Sequence, residues 1–161
     1  MPDTAITDWL DERRVRADVE AKSKKRALET AAELLAADLP GHTAQEILDS
    51  LIRRERLGCT ALADGVAIPH ARMSGLERSV AAFVSLKAPV DFDAANAQLV
   101  DLVLAVLVPE ECSQRQLQLV TEASRELSDP HLCQALRHAN NDHALYELLA
   151  HGQLPPAAVN Q

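Results

Sequence analysis

The sequence predicts a three-layer α/β domain, in which a mixed β-sheet is flanked by helices on both faces. Residues 100–108 form a nearly all-aliphatic run, which is typical of a central strand buried on both faces. Segments with the spacing of amphipathic helices lie before and after a group of strand-like segments, so helices are available to cover both faces. The chain has 161 residues, of which 47% are hydrophobic, and can bury one sizeable core.

The domain is expected to span residues 15–152, with a polar lead-in at 1–14 and a flexible tail at 153–161. No apolar run reaches the length of a membrane-spanning helix, because Asp101 interrupts the longest candidate. The acidic N-terminus lacks the basic start and apolar stretch of a signal peptide. We therefore expect a cytoplasmic protein without membrane insertion.

The first predicted elements are a short helix, a strand and two long helices. The short helix is placed at residues 8–13, and alternating apolar and charged residues over 15–19 predict a half-buried strand. Ser23 is the predicted N-cap of a helix that reaches about Asp38. The next helix begins at a capping box formed by Thr43 and Glu46 and ends near Leu57, with Gly58 as its stop signal.

Three strands are predicted in the middle of the chain. Residues 66–68 form a short buried strand that should stop or bend at Pro69, since proline cannot donate to a sheet ladder. Residues 80–86 form a second strand, which Pro89 breaks, and the residues that follow are interpreted as a connection. Residues 100–108 form the central strand.

Three further helices complete the predicted domain. Ser113 is the expected N-cap of the first, a long helix. Asp129 is the N-cap of the second, with Pro130 at its first helical position. The third begins at Asn141 or Asp142.

Composition excludes several classes of function. The net charge of −8, from 16 basic and 24 acidic residues, argues against nucleic acid as the main partner. The five glycines are dispersed, so no phosphate-cradling loop is present, and no pair of histidines has metal-ligand spacing on a helix. No cofactor and no metal are expected. The three cysteines are scattered and make a poor disulfide framework.

A basic cluster begins the first long helix, and it is interpreted as a solvated face, with a phosphate or an acidic protein as the alternative contact. Its members are Lys22, Lys24, Lys25 and Arg26.

His70 is the candidate functional residue, because Pro69 would present it at the end of a buried strand. A histidine that accepts a phosphoryl group needs one ring nitrogen unprotonated and the other held by an acceptor. Arg54 and Thr60 precede it by a helix end and a loop and can fold back to act as donors to phosphoryl oxygens. The alternatives are a structural histidine and an arginine that satisfies the last carbonyls of its own helix.

The residues from 54 to 60, followed by those from 65 to 70, resemble the active-site signature of the enzyme IIA domains of the bacterial phosphoenolpyruvate-dependent phosphotransferase system, fructose–mannitol (type 2) family. The similarity covers roughly residues 15–150, and it continues through the segments 88–93, 100–102, 107–109 and 145–148. Residues 23–28 and the lack of fused domains are most similar to the nitrogen-related regulatory branch.

The resemblance implies that His70 is phosphorylated on Nε2 and that Arg54 lies beside the phosphoryl group. The donor would be a small histidine phosphocarrier protein, itself charged from phosphoenolpyruvate by enzyme I. In the nitrogen branch, the phosphorylation state tunes binding to regulatory targets such as potassium transport components and kinases. The chain would then be a phosphocarrier and regulator, not a free-standing enzyme.

The sequence departs from the family pattern at several positions. Gln116 stands where the family often has a second histidine; its amide can donate to a phosphoryl oxygen but cannot become cationic. Gln116 also fits a capping box with Ser113. Cys59 stands where serine is usual, and Ala61 and Ala63 where glycines are usual. We expect the loss of the second histidine to weaken onward transfer more than acceptance.

Two alternative functions remain open at this point. One is a sugar-transport enzyme IIA that passes its phosphoryl group to an enzyme IIB. The other is a binding module of the same fold that acts without being phosphorylated. Arg54, Thr60 and His70 together favour phosphorylation, and Gln116 favours regulation over transport.

Overall fold

A computed structural model describes residues 5–94, 97–111 and 114–151, without the side chains of residues 5, 7, 63, 115–117 and 119. It has the predicted architecture, a mixed five-stranded sheet between two layers of helices. The strands are β1 (Leu10–Val19), β2 (Val66–Ala67), β3 (His70–Met73), β4 (Val80–Asp91) and β5 (Leu99–Pro109). The helices are α1 (Lys24–Ala37), α2 (Ala44–Glu55), α3 (Gln114–Glu126), α4 (Pro130–His138) and α5 (Asp142–His151), with 3-10 turns at Ala5–Asp8 and Ala63–Gly65.

The sheet is built around β5, as the aliphatic run predicted. β5 pairs antiparallel with β4 on one side and parallel with both β2 and β3 on the other, while β1 lies parallel to β4 at the far edge. Both faces of β5 are covered. Val103, Ala105 and Leu107 point to the layer of α1 and α2, and the residues that alternate with them point to the layer of α3, α4 and α5; these are Leu102, Leu104 and Val106.

The N-caps predicted at Ser23, Thr43 and Asp129 are confirmed. The Ser23 hydroxyl accepts a hydrogen bond from the Arg26 N–H at 3.1 Å. Thr43 and Glu46 form a reciprocal capping box. The Asp129 carboxylate accepts from the His131 N–H at 2.9 Å. Ser113, the expected cap of α3, lies outside the described residues. No helix in the described ranges has the length and hydropathy needed to cross a bilayer.

The short helix expected at residues 8–13 is wrong, because β1 already begins at Leu10 and pairs there with Ala81 of β4. The polar side chains of this segment are compatible with a strand, because the buried Arg14 side chain has both hydrogen-bond and ion-pair partners. Its Nε donates to the Ala81 carbonyl at 2.9 Å, and Nη1 pairs with Asp38 at the end of α1.

The prediction that Pro89 ends the second strand is also wrong. β4 continues to Asp91, and its register on β5 shifts between the pairs Ser85↔Leu102 and Val90↔Val100. Pro89 lies inside this irregular stretch, where the ladder does not require an N–H from every residue. The segment interpreted as a connection is therefore partly a strand.

Candidate functional site

The strand stops before Pro69, as predicted, and His70 begins a new strand, β3, on the same partner strand, β5. Each described residue of β2 and β3 pairs with the β5 residue 36 positions later, from Val66↔Leu102 to His70↔Val106. Pro69 interrupts the strand without changing this register, because its carbonyl still accepts from the Val106 N–H at 2.9 Å. The backbone of His70 is thus fixed by the central strand.

The ring of His70 is held in one tautomer. Its Nδ1 lies 2.9 Å from the carbonyl oxygen of Ile68, which can only accept a hydrogen bond, so Nδ1 carries the proton. In the neutral ring, Nε2 then keeps its lone pair. The side chain is only partly buried, and no second hydrogen bond to the ring occurs among the described residues. This arrangement supplies an oriented nitrogen nucleophile.

Thr60 is hydrogen-bonded to Ile68, the residue whose carbonyl orients the His70 ring. Residues 60–68 form an antiparallel pair of short segments, here called the site hairpin: Ile68 N–H donates to the Thr60 carbonyl at 3.1 Å, and Leu62 N–H donates to the Val66 carbonyl at 2.6 Å. The Thr60 hydroxyl donates to a carboxylate oxygen of Glu55. Because a threonine has one O–H proton, this hydroxyl reaches a phosphoryl group as a donor only after leaving Glu55.

Arg54 lies in the last turn of α2, and its Nη1 donates to the Gly58 carbonyl at 3.2 Å. This contact fits the alternative that the arginine satisfies carbonyls at its own helix end. A guanidinium has five N–H donors, so most of them stay available for a second acceptor. Within the described part of the chain no hydrogen bond joins Arg54 to His70, and a phosphate-binding role for Arg54 remains a prediction.

Glu55 and Lys24 form an ion pair that no sequence pattern indicates. The Glu55 side chain is 4% exposed, and one of its oxygens pairs with Lys24 Nζ at 2.9 Å. Lys24 Nζ also donates to the Phe92 carbonyl at 3.3 Å and lies 5.3 Å from the centre of the Phe92 ring. The interpretation of the basic cluster as a solvated face is therefore wrong for Lys24. No local pattern links a lysine at the start of α1 to a glutamate at the end of α2.

The turn of the site hairpin is held from the opposite face of the sheet. Asp64 and Gly65 both have positive φ, 64° and 78°. Arg137 of α4 donates through Nη2 to the Asp64 carbonyl and through Nε to the Asp101 carboxylate of β5 at 2.9 Å. No local sequence pattern indicates this role of Arg137, because its partners lie on distant elements.

Two departures from the family pattern have different outcomes. Cys59 is an exposed residue. Its thiol donates to the Phe92 carbonyl at 3.2 Å and accepts from the Ala61 N–H at 3.4 Å. Gln116 lies in the first turns of α3, but its side chain is outside the described part of the structure. Its role toward a phosphoryl group or as a cap therefore stays a prediction.

Comparison with known proteins places the chain among phosphotransferase-system proteins. The family model described as "Phosphoenolpyruvate-dependent sugar phosphotransferase system, EIIA 2" matches residues 8–152. The nitrogen regulatory protein of Pseudomonas aeruginosa is 41% identical over 132 residues, which cover 82% of this chain and 86% of that protein. The nitrogen regulatory protein of Klebsiella oxytoca is 37% identical and covers 89% of each chain.

Solved structures show the same fold. The crystal structure of nitrogen regulatory protein IIA-Ntr from Neisseria meningitidis has a TM-score of 0.83 at 30% identity and covers 91% of this chain and 100% of that one. The mannitol IIA of Escherichia coli has a TM-score of 0.72 at 22% identity, covering 87% of this chain and 98% of that one, a likeness of fold alone.

Proposed function

We propose a function for this chain from one premise: it belongs to the EIIA 2 family of the phosphoenolpyruvate-dependent sugar phosphotransferase system. Several relatives are named nitrogen regulatory protein, so the resemblance seen in the sequence is confirmed. The proposed function is that of a nitrogen-type phosphocarrier and regulator in the bacterial cytoplasm, which accepts a phosphoryl group on His70. The observation that carries the proposal is the hydrogen bond from His70 Nδ1 to the Ile68 carbonyl.

The proposed reaction moves one phosphoryl group between two histidines. The lone pair of His70 Nε2 attacks the phosphorus of the phosphocarrier's phosphohistidine, and a new N–P bond forms while the donor's N–P bond breaks. The donor imidazole leaves with the electron pair of its broken bond. The attack makes the His70 ring cationic, and the Ile68 carbonyl stabilises this charge by accepting from Nδ1–H. The free N–H groups of Arg54 would neutralise the phosphoryl oxygens.

Phosphorylation would change what the chain binds. A phosphoryl group adds a charge of about −1.5 to −2 at neutral pH. It would arrive on a chain whose net charge is already −8. Binding of an acidic partner would weaken and binding of a basic one would strengthen. By resemblance, the proposed regulatory targets are potassium transport components or kinases, and the names of the relatives support a regulatory output.

The test is phosphorylation in a reconstituted system. The chain is incubated with phosphoenolpyruvate, enzyme I and a histidine phosphocarrier protein, and acid-labile phosphate is followed by intact mass. We expect labelling of the wild type and of His131→Ala, which alters an exposed histidine of α4, but none of His70→Ala. An unlabelled wild type, or equal labelling of His70→Ala, would reject the proposal. Rapid loss of the label to an added enzyme IIB would favour sugar transport instead.

A further inference from the structure

Glu55 occupies a position that stability alone does not explain. Its carboxylate is buried at the C-terminal end of α2, where the helix dipole disfavours negative charge. The desolvation free energy lost on burying an ion pair is about as large as the attraction gained between the two charges. Replacing such a pair by apolar residues of similar volume therefore often leaves the free energy of unfolding unchanged. The pair with Lys24 therefore calls for a role beyond the free energy of unfolding.

The carboxylate joins three parts of the molecule. It ends α2, it pairs with Lys24 in the first turn of α1, and it accepts a hydrogen bond from the Thr60 hydroxyl in the site hairpin. Lys24 is itself fixed by the carbonyl and the ring of Phe92, just after β4. Glu55 is thus held in place by one contact and holds Thr60 by another.

The contacts continue from Thr60 to the reactive ring. The Thr60 carbonyl accepts from the N–H of Ile68 at 3.1 Å, and the carbonyl of Ile68 accepts from His70 Nδ1 at 2.9 Å. The side chain of Thr60 is therefore tied to Glu55, and its backbone is tied to the residue that sets the tautomer of His70.

We propose that Lys24 and Glu55 are positioning residues that act through Thr60 and Ile68 to hold the His70 ring with Nε2 unprotonated and correctly aimed. The inference rests on the proposed phosphorylation of His70. Neither residue contacts the phosphoryl group. Glu55→Gln removes the charge that pairs with Lys24 and leaves one acceptor oxygen for two donors, Lys24 and Thr60, so the Ile68 carbonyl and the ring lose their fixed geometry. Small misplacements of reacting groups can slow a reaction about 100-fold.

The experiment compares Glu55→Gln and Lys24→Met with Lys25→Met, a matched control at the neighbouring exposed lysine. Two quantities are measured in the folded proteins: the kcat and KM of phosphoryl acceptance from the phosphocarrier, and the protonation of the two His70 nitrogens by 15N NMR. We expect the first two variants to lower kcat about 10- to 100-fold, with KM within about twofold of the wild type. Their spectra should show a larger fraction of the Nε2–H tautomer, and Lys25→Met should change neither quantity.

A double-mutant cycle separates positioning from folding. Thr60→Val removes the hydroxyl that Glu55 accepts, so Glu55→Gln combined with Thr60→Val should lower kcat no further than the more severe single change. A folded Glu55→Gln protein with wild-type kcat and a wild-type NMR spectrum overturns the inference. If Glu55→Gln does not fold, Lys24→Met decides by the same two measurements. An unphosphorylated wild type rejects the proposed function, while the tautomer measurement still tests the positioning.

Discussion

Gly65 is the residue whose backbone most limits substitution at the candidate site. Its φ is +78°, and a Cβ added there would lie 3.2 Å from the Leu99 carbonyl oxygen and 2.8 Å from Arg137 Nη2. We expect Gly65→Ala to lower the free energy of unfolding by about 1–3 kcal/mol, through left-handed strain and crowding. Urea denaturation measures this change. Gly41→Ala is the control, because no atom lies within 4 Å of its added Cβ; equal losses in both variants would contradict the prediction.

The thiols of Cys59 and Cys133 should differ in reactivity. Burial raises the pKa of the Cys133 thiol, which also donates to the Leu127 carbonyl at 3.0 Å. Cys59 is an exposed residue in the loop that leads into the site hairpin. We expect iodoacetamide at neutral pH to alkylate Cys59 in the folded protein and to spare Cys133, as peptide mass mapping would show. Equal alkylation rates would contradict the burial argument.

At the residue scale, the sequence is informative where the signal is local. The sequence indicated His70 because Pro69 and the apolar run are its neighbours, and the structure adds the hydrogen bond that fixes its ring. The prediction of a solvated face is wrong for Lys24, because its partner Glu55 lies on another helix. The contacts of Arg137 cannot be predicted for the same reason. The local sequence around a charged residue of a helix surface is the same whether or not a distant turn packs against it.

At the scale of elements, helix starts were the most predictable feature. Ser23, Thr43 and Asp129 each cap a helix as expected, because the cap's side-chain oxygen and the N–H that donates to it lie within three residues of each other. Strands were less predictable. Whether a proline ends a strand depends on whether the partner strand needs a hydrogen bond from the N–H that proline lacks. β5 is the partner strand at both Pro69 and Pro89.

The contact between α5 and β1 should make stability depend on pH. The hydrogen bond and charge of Glu12 raise the pKa of His143 above 6.5, its ordinary value. Because the folded-state pKa is the higher one, this stabilisation is fully present below the unfolded value and is lost as the pH rises through the folded value. The urea midpoints of wild type and His143→Gln should therefore differ at about pH 5.5 and converge by about pH 8.5. A difference that grows with pH would contradict this assignment.

At the scale of the whole molecule, charge and exposed apolar surface are unevenly distributed. The chain carries a net charge of −8, yet Arg53, Arg54 and Arg56 lie together at the end of α2. Leu57 follows them with 83% of its surface exposed, immediately before the loop that leads to the site hairpin. We expect this exposed leucine and its neighbouring arginines to form part of the surface that docks the proposed phosphocarrier.

We expect Leu57→Ser to raise the KM for the phosphocarrier about tenfold, equivalent to about 1.4 kcal/mol, and to leave kcat unchanged. Steady-state transfer measurements would show this difference. Leu99→Ser is the matched control, since Leu99 is also a partly exposed leucine, 47% exposed, at the start of β5. An unchanged KM in Leu57→Ser, or an equal rise in both variants, would place the docking surface elsewhere.

The register of β2 and β3 on β5 also sets the moment in protein synthesis at which the candidate site can exist. His70 leaves the ribosome well before Leu99–Pro109, the strand that fixes its backbone. A nascent chain that stops short of β5 therefore contains the reactive histidine without the backbone pairing that fixes it. Parallel pairing across a long stretch of chain forms late. Incomplete chains would thus be poor phosphoryl acceptors, and competence would arrive only with the central strand.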